Sequence, residues 1–272
     1  MSDGHSGFLC HRAPPWRNHP PTVPKIALLS DIHANLPALQ AVIEDADRLG
    51  IRDFVFMGDI VGYGPHPAEC VEMVRQSGAP CVQGNHDYYT VAGSRHRGFI
   101  PNDAESRANP VWAGIHHAMR ELDGDDIEWL GALPRVIDIP GAIVAHASLD
   151  DPSRWKYLLD SNDAATTLDV LERLGLSIGF FGHTHRQEWF SRPQAPGEPC
   201  GEDGFVLAPD KRFAVVVGSV GQPRSKDNRA SWTVWDSERR IFEFRRTSYP
   251  VEQTVAAIRK AGLPAHSARR LM

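Results

Sequence analysis

Five short polar motifs, each standing where an apolar run stops, constrain this chain more than any other feature of it. Ile26-Ala27-Leu28-Leu29 gives way to Ser30-Asp31-Ile32-His33, and Phe54-Val55-Phe56-Met57 to Gly58-Asp59. The run from Ala79 to Gln83 precedes Gly84-Asn85-His86-Asp87, that from Ala142 to Ala145 precedes His146, and that from Ser177 to Phe181 precedes Gly182-His183-Thr184-His185. Short apolar runs bounded by turn residues read as buried strands, and strand ends can converge on one spot. Residues two apart on extended backbone project to the same face, so Asp31 can point with His33, and His183 with His185. Carboxylate, imidazole and amide are metal-binding groups. A set without thiolate suits Mn²⁺, Fe or Zn²⁺ better than Cu(I) or a structural zinc.

Between these runs the apolar period lengthens. Leu36, Leu39, Val42, Ile43, Ala46 and Leu49 recur at helical spacing, with Asn35 placed to cap and Gly50 to stop. Pro67 to Gln76, about Arg107 to Glu121, Ile127 to Leu133, Asp163 to Leu174 and Val251 to Ala261 also read as helical, and Arg135 to Ile139 as extended. After Phe181 the character turns to β, with aromatic and β-branched runs at Glu188 to Ser191, Phe213 to Val217, Ser231 to Trp235 and Ile241 to Arg246. Strand and helix alternation followed by such strands predicts an α/β architecture, a two-sheet β-sandwich flanked by helices. Residues 1–24, rich in Pro, His and Arg, read as a flexible arm, and Pro193 to Gly204 as a surface loop. Residues 25–272 are then one domain, which 42% apolar residues suffice to pack.

Charge and cysteine usage remove other classes. A formal charge of −5, from 29 Lys and Arg against 34 Asp and Glu, provides no field for strong nucleic-acid binding. Cys10, Cys70, Cys81 and Cys200 lie far apart without metal-knuckle spacing and read as reduced thiols. With no long apolar stretch and a polar, Pro-rich start, the expectation is a cytoplasmic protein without a membrane partner.

In this order D-x-H, G-D, G-N-H-D, a lone His and G-H-x-H resemble the calcineurin-like metallophosphoesterase family, over residues 25 to about 225. The resemblance implies a β-sandwich with a two-metal site. Asp31, His33, Asp59 and His185 would hold one ion, Asn85, His146 and His183 the other, and Asp59 would bridge both. It implies two divalent or trivalent ions, Mn or Fe first and Zn, Co or Ni next, with a bridging hydroxide attacking phosphorus. His86 would face the leaving-group oxygen as catalytic residue, and Asp87 would hold the turn or orient a ligand.

One departure bears on substrate. Protein phosphatases and symmetrical diadenosine tetraphosphate hydrolases of this superfamily carry G-D-x-V-D-R-G, whereas this chain reads Gly58-Asp59-Ile60-Val61-Gly62-Tyr63-Gly64. The Asp that would pair with His86 and the Arg that would fork onto phosphate are missing, which points away from protein phosphatase and towards the small bacterial and archaeal phosphodiesterase-like branch. Gly218-Ser219-Val220-Gly221-Gln222-Pro223-Arg224 resembles the G-S-x-G-x-P-R segment of that branch, and Arg224 could replace the missing phosphate clamp. The expected activity is therefore a phosphodiesterase or phosphoanhydride hydrolase acting on a phosphate-ester or nucleotide small molecule. A dinucleoside polyphosphate hydrolase, a non-catalytic scaffold and a protein phosphatase are the alternatives. Taken singly, an Asp caps, an Asn turns and a His accepts a hydrogen bond. His116, His117, His66 and His96 have such ordinary readings, and Trp232 and Trp235 read as sheet packing.

Overall fold

The computed structural model describes residues 25–192, 205–208 and 210–272. The expected arm over 1–24, the loop from Pro193 to Gly204, Cys10 and Cys200 lie outside the described residues.

Strand β1 (Lys25–Leu29) leads through a turn into helix α1 (Leu36–Arg48). Asn35 caps that helix, its side chain accepting from Ala38 N, and Gly50 leaves it with φ 73°. Strand β2 (Asp53–Phe56) and helix α2 (Pro67–Ser77) repeat the unit, with Cys70, Val71 and Val74 turned inward as their spacing predicts. The chain then runs through helices α3 (Asn85–Arg95), α4 (Ala104–Ala108), α5 (Pro110–Glu121) and α6 (Gly124–Ala132), and strands β3 (Val136–Ile139) and β4 (Ala142–Ala145). Helix α7 (Ser161–Arg173) and strands β5 (Ile178–Phe181), β6 (Gln187–Arg192), β7 (Phe205–Val206), β8 (Arg212–Val217), β9 (Ala230–Asp236) and β10 (Ile241–Thr247) follow. Helices α8 (Val251–Lys260) and α9 (Ala265–Arg269) close the chain.

Two five-stranded sheets result, in the orders β2-β1-β9-β10-β7 and β3-β4-β5-β8-β6. In the first, β1 pairs parallel to β2, and in the second β4, β5 and β8 run parallel. Alternate residues of the two sheets meet in a shared apolar layer, Leu28, Val55 and Met57 against Val144, Phe180 and Val215. The opposite faces carry helices: α1 and α2 cover one sheet through Leu39, Val42 and Val71, and α7 covers the other through Leu168 and Leu171. This is the helix-flanked sandwich that the strand pattern predicts. Trp232 and Trp235 are fully buried sheet residues. Among the described residues no helix is long and apolar enough to cross a membrane.

Three local expectations are corrected. Ala79 to Gln83 is no strand but a single bridge, Phe56 to Cys81, because Pro80 offers only its carbonyl, which accepts from Phe56 N at 2.9 Å. The helix expected from about Arg107 is two helices, since Pro110 disfavours helical backbone at Asn109 before it. Asn85-His86-Asp87 is not a bare turn but the first turn of α3, with Asp87 at its third position accepting from Gly84 N at 2.9 Å.

Candidate metal centre

Parallel strands deliver their carboxyl ends to one edge, where open α/β sheets bind ligands. Asp31 and His33 lie just past β1, Asp59 past β2, His146 past β4, His183 and His185 past β5, and Asn85 opens α3. The loops are sewn by backbone: Asp31 N donates to Gly58 O at 3.0 Å, His33 N to Asp59 O at 2.9 Å, and Gly182 N to His146 O at 2.9 Å. Extended geometry is not what makes these side chains converge. Asp31, His33, Asp59, His183 and His185 all have left-handed backbone, with φ between 49° and 66°, so each turns its side chain across the strand ends rather than along an alternating face. Asp31 and His33 do come together, by tight turns instead of pleat, whereas His183 and His185 part, His185 joining Asp31 and His33 and His183 joining Asp59 and His146.

The donors form overlapping groups that His33 and Asp59 link. His185 Nε2 stands 3.2 Å and His33 Nε2 3.7 Å from Asp31 Oδ1, and the two imidazole nitrogens are 3.1 Å apart. His146 Nε2 lies 3.4 Å from Asp59 Oδ2 and 3.2 Å from Asn85 Oδ1. Asp59 Oδ2 also lies 3.7 Å from His33 Nε2, so one carboxylate oxygen faces two of these groups while its other oxygen accepts from His86 N at 2.8 Å. His183 completes the second group with Asp59 and His146. His86 also comes within 4.0 Å of Asp59 through Nε2, in a third grouping with His33 and Asp59.

The fold fixes the tautomers. His33 Nδ1 lies 3.1 Å from Val61 O, His146 Nδ1 2.7 Å from Met57 O, and His185 Nδ1 2.7 Å from Gln222 O. Each Nδ1–H donates to a carbonyl, which aims Nε2 at the centre and, in His33 and His185, leaves the lone pair there. The lone pairs of His33 and His185 then face each other at 3.1 Å. Asp31 Oδ1 and His183 Nε2 are buried without a hydrogen-bond partner. Opposed lone pairs and orphaned donors are satisfied by cations, and two cations about 3.5–4 Å apart with a shared carboxylate suit this arrangement. The donor set therefore fits two metal ions.

Electrostatics agree. Burial pushes the Asp31 and Asp59 carboxyls up, but His185 and His33 around Asp31, and His146 and His86 around Asp59, outweigh it and hold both below the usual carboxylate range. Burial lowers His146, yet Asp59 beside it drives it up to about 10. Burial dominates at His183 and His86, each lowered to about 3. The buried carboxylates thus draw positive charge to themselves.

Asp87 does not point at the centre. Its carboxylate accepts from Asp59 N and Ile60 N at 2.9 Å, from Val61 N at 3.2 Å and from Gly84 N, clamping the Asp59 loop to α3. Burial and the Asp59 charge raise it to about 6. Arg224 meets the site through Tyr63: burial raises the Tyr63 phenol to about 12, against the charge and hydrogen bond of Arg224. The Tyr63 ring packs on His33 and on His86, 4.7 Å from each. Tyr63, which stands where the phosphatase motif has Arg, is thus part of the site, although no metal-binding chemistry in the sequence marks it. His117 and His116 instead meet the Pro65 and Pro101 carbonyls at 3.1 and 2.9 Å. His66 flanks α2 and His96 ends α3.

A family model described as calcineurin-like phosphoesterase matches residues 24–187. The chain is 33% identical over 251 residues to the uncharacterized protein MJ0912 of Methanocaldococcus jannaschii, covering 90% of this chain and 96% of that protein. Among solved structures it is similar to a metallophosphoesterase from Sphaerobacter thermophilus, at 32% identity and a TM-score of 0.78 over 91% of this chain and 97% of that one. It shares its fold with the hypothetical protein PH1004 from Pyrococcus horikoshii OT3, at 18% identity and a TM-score of 0.72 over the same shares of each chain.

Proposed function

From the premise that this chain belongs to the calcineurin-like phosphoesterase family, we propose that it is a dinuclear metal-dependent phosphodiesterase or phosphoanhydride hydrolase. The carrying observation is Asp59, whose single oxygen faces two groups of buried donors at once. Asp31, His33, Asp59 and His185 would hold one ion, and Asp59, Asn85, His146 and His183 the other. Such ions acidify water and draw charge off phosphoryl oxygens. The chain's own residues supply the rest. His86, buried at the first turn of α3, would present its ring to the leaving group as proton or hydrogen-bond donor. Arg224, against Tyr63, would bind a phosphoryl oxygen. Asp87 would keep the Asp59 loop in register without touching substrate. Buried reduced Cys70 and Cys81 agree with a cytoplasmic location.

The absence of Asp and Arg at Gly62 and Tyr63 favours a small phosphate ester over a phosphoprotein. The seven residues proposed as ligands and His86 lie in overlapping buried groups, which supports catalysis over a scaffold role. The test is hydrolysis of bis-p-nitrophenyl phosphate by protein loaded with Mn²⁺, Fe²⁺, Co²⁺, Ni²⁺ or Zn²⁺. Turnover with at least one ion, lost in a folded Asp59→Asn variant, is expected; no turnover with any of them overturns the reading.

A further inference from the structure

The loop between His146 and α7 carries two aromatic residues that metal ligation does not use. Tyr157 stacks on His183, with ring centroids 3.9 Å apart and planes 17° from parallel, and is nonetheless 40% exposed. One face of its ring therefore covers a candidate ligand, while a large part of the residue stays open to solvent. Trp155 stands edge-on to the other imidazole of the same group, His146, at 5.9 Å. It holds a left-handed φ of 53°, which a bulky residue adopts only when its surroundings require it. The guanidinium of Arg135 lies 4.4 Å over the Trp155 ring and 5.0 Å over that of Tyr88. Leu149 and Leu158, both buried, pin the loop at either end.

Burying exposed tyrosine surface is favourable by area alone, and aromatic faces add stacking geometry. At this position the candidate occupant is whatever is esterified to a phosphate lodged beside His183. An alkyl group would gain contact only, whereas a planar ring would stack. We propose, resting on the phosphoesterase reading above, that Tyr157 is a specificity residue whose ring stacks a planar aromatic group of the substrate, a nucleobase or an aryl ester, with Trp155 and its cationic neighbour Arg135 forming the wall of that subsite.

Calorimetric binding to the manganese-loaded protein tests this without catalysis. The matched pairs are AMP against ribose 5-phosphate and phenyl phosphate against ethyl phosphate. Stacking on one ring predicts an aromatic preference of about tenfold, the equivalent of about 1.4 kcal/mol. A preference in the first pair alone identifies a nucleobase, and in the second alone or in both an aryl-accepting subsite; all support the proposal. In Tyr157→Leu and Tyr157→Ala the ratio should fall to about one, while Tyr157→Phe keeps it. Equal binding within both pairs, or a preference that survives Tyr157→Leu, overturns the proposal, as does failure of the loaded protein to bind any of the four. Bis-p-nitrophenyl phosphate hydrolysis in the same preparation separates the two readings. Turnover without aromatic preference sinks the subsite alone, and aromatic preference without turnover sinks the hydrolase alone.

Discussion

Replacing Gly62 with alanine should disable His86 while leaving every proposed ligand in place. A Cβ at this position would lie 2.2 Å from His86 Nδ1 and 2.9 Å from its Cγ, far inside contact distance, so something must move. The loop is poorly placed to yield. Ile60 N and Val61 N are held by Asp87, and α5 presses Gly114 so closely that a Cβ there would meet Tyr63 N at 2.1 Å. The imidazole has no hydrogen bond at Nδ1 to hold it, so it swings. Gly62 also has φ +94°, and a side chain in left-handed backbone costs about 1–2 kcal/mol. At about 2–4 °C per kcal/mol for a domain of this size, melting should fall by only a few degrees. The rate loss should be that of a missing hydrogen-bond donor to developing charge, about 10²–10³-fold, or about 2.7–4 kcal/mol. Hydrolysis of bis-p-nitrophenyl phosphate is measured for Gly62→Ala, His86→Ala and the double variant, alongside melting curves and metal content. Because both changes act through one imidazole, the double variant should be no slower than His86→Ala. A Gly62→Ala protein near the wild-type rate would show that the loop gives way instead, and a double variant far slower than His86→Ala would show a second route of damage. Either result refutes the reasoning.

Two further outcomes follow from the same contacts. Asp87→Asn replaces one accepting oxygen by an amino group facing backbone N–H donors, so urea titration should reveal a loss of about 1.5–3 kcal/mol together with reduced metal content; an unchanged midpoint would mean that the clamp is dispensable. Chelation should lower the melting temperature, since ions that bind only the folded chain stabilise it by about 2.7 kcal/mol at a hundred times Kd, and a melting curve indifferent to chelator would contradict a buried two-ion site.

Much of this was legible because chemistry and period coincide. Leu28 and Phe180 lie in apolar runs that stop abruptly at carboxylates and imidazoles, and a sheet whose strands run parallel carries those stops to one edge. What escaped depends on backbone that composition does not encode. Asp31 and His33 converge through left-handed turns, which are uncommon for any residue but glycine and which the mutual sewing of the Asp31 and Asp59 loops sustains. Helix α3 was hidden because Asn85, His86 and Asp87 are strong turn formers when read locally. It forms because Asp87 closes its first turn onto Gly84 N and clamps the neighbouring loop at the same time. Tyr157 carried no signal at all: nothing in Lys156-Tyr157-Leu158 announces a ring that will stack on His183, twenty-six positions further on.

The strained turns and the carbonyl anchors have a single physical origin. An imidazole needs only one nitrogen for a cation, and a buried second N–H must find an acceptor. Helices and sheets consume their own carbonyls, so the acceptors can come only from backbone that has left its ladder. Met57, Val61 and Gln222 are such residues, each just past a strand or in a loop at the same edge. Ending four strands early, and turning the chain sharply through left-handed backbone, exposes carbonyls and ligands together. At about 1–2 kcal/mol for each such residue, this geometry is unfavourable by itself and persists where the surrounding bonds over-determine it. Asp31 illustrates the compensation: its amide donates to Gly58 O, its carbonyl accepts from Gly221 N and Ser219 Oγ, and its Oδ2 accepts from His183 N. Only Oδ1 is left over, aimed at His185 and His33. The residue is held at every polar atom except the one that a cation would take.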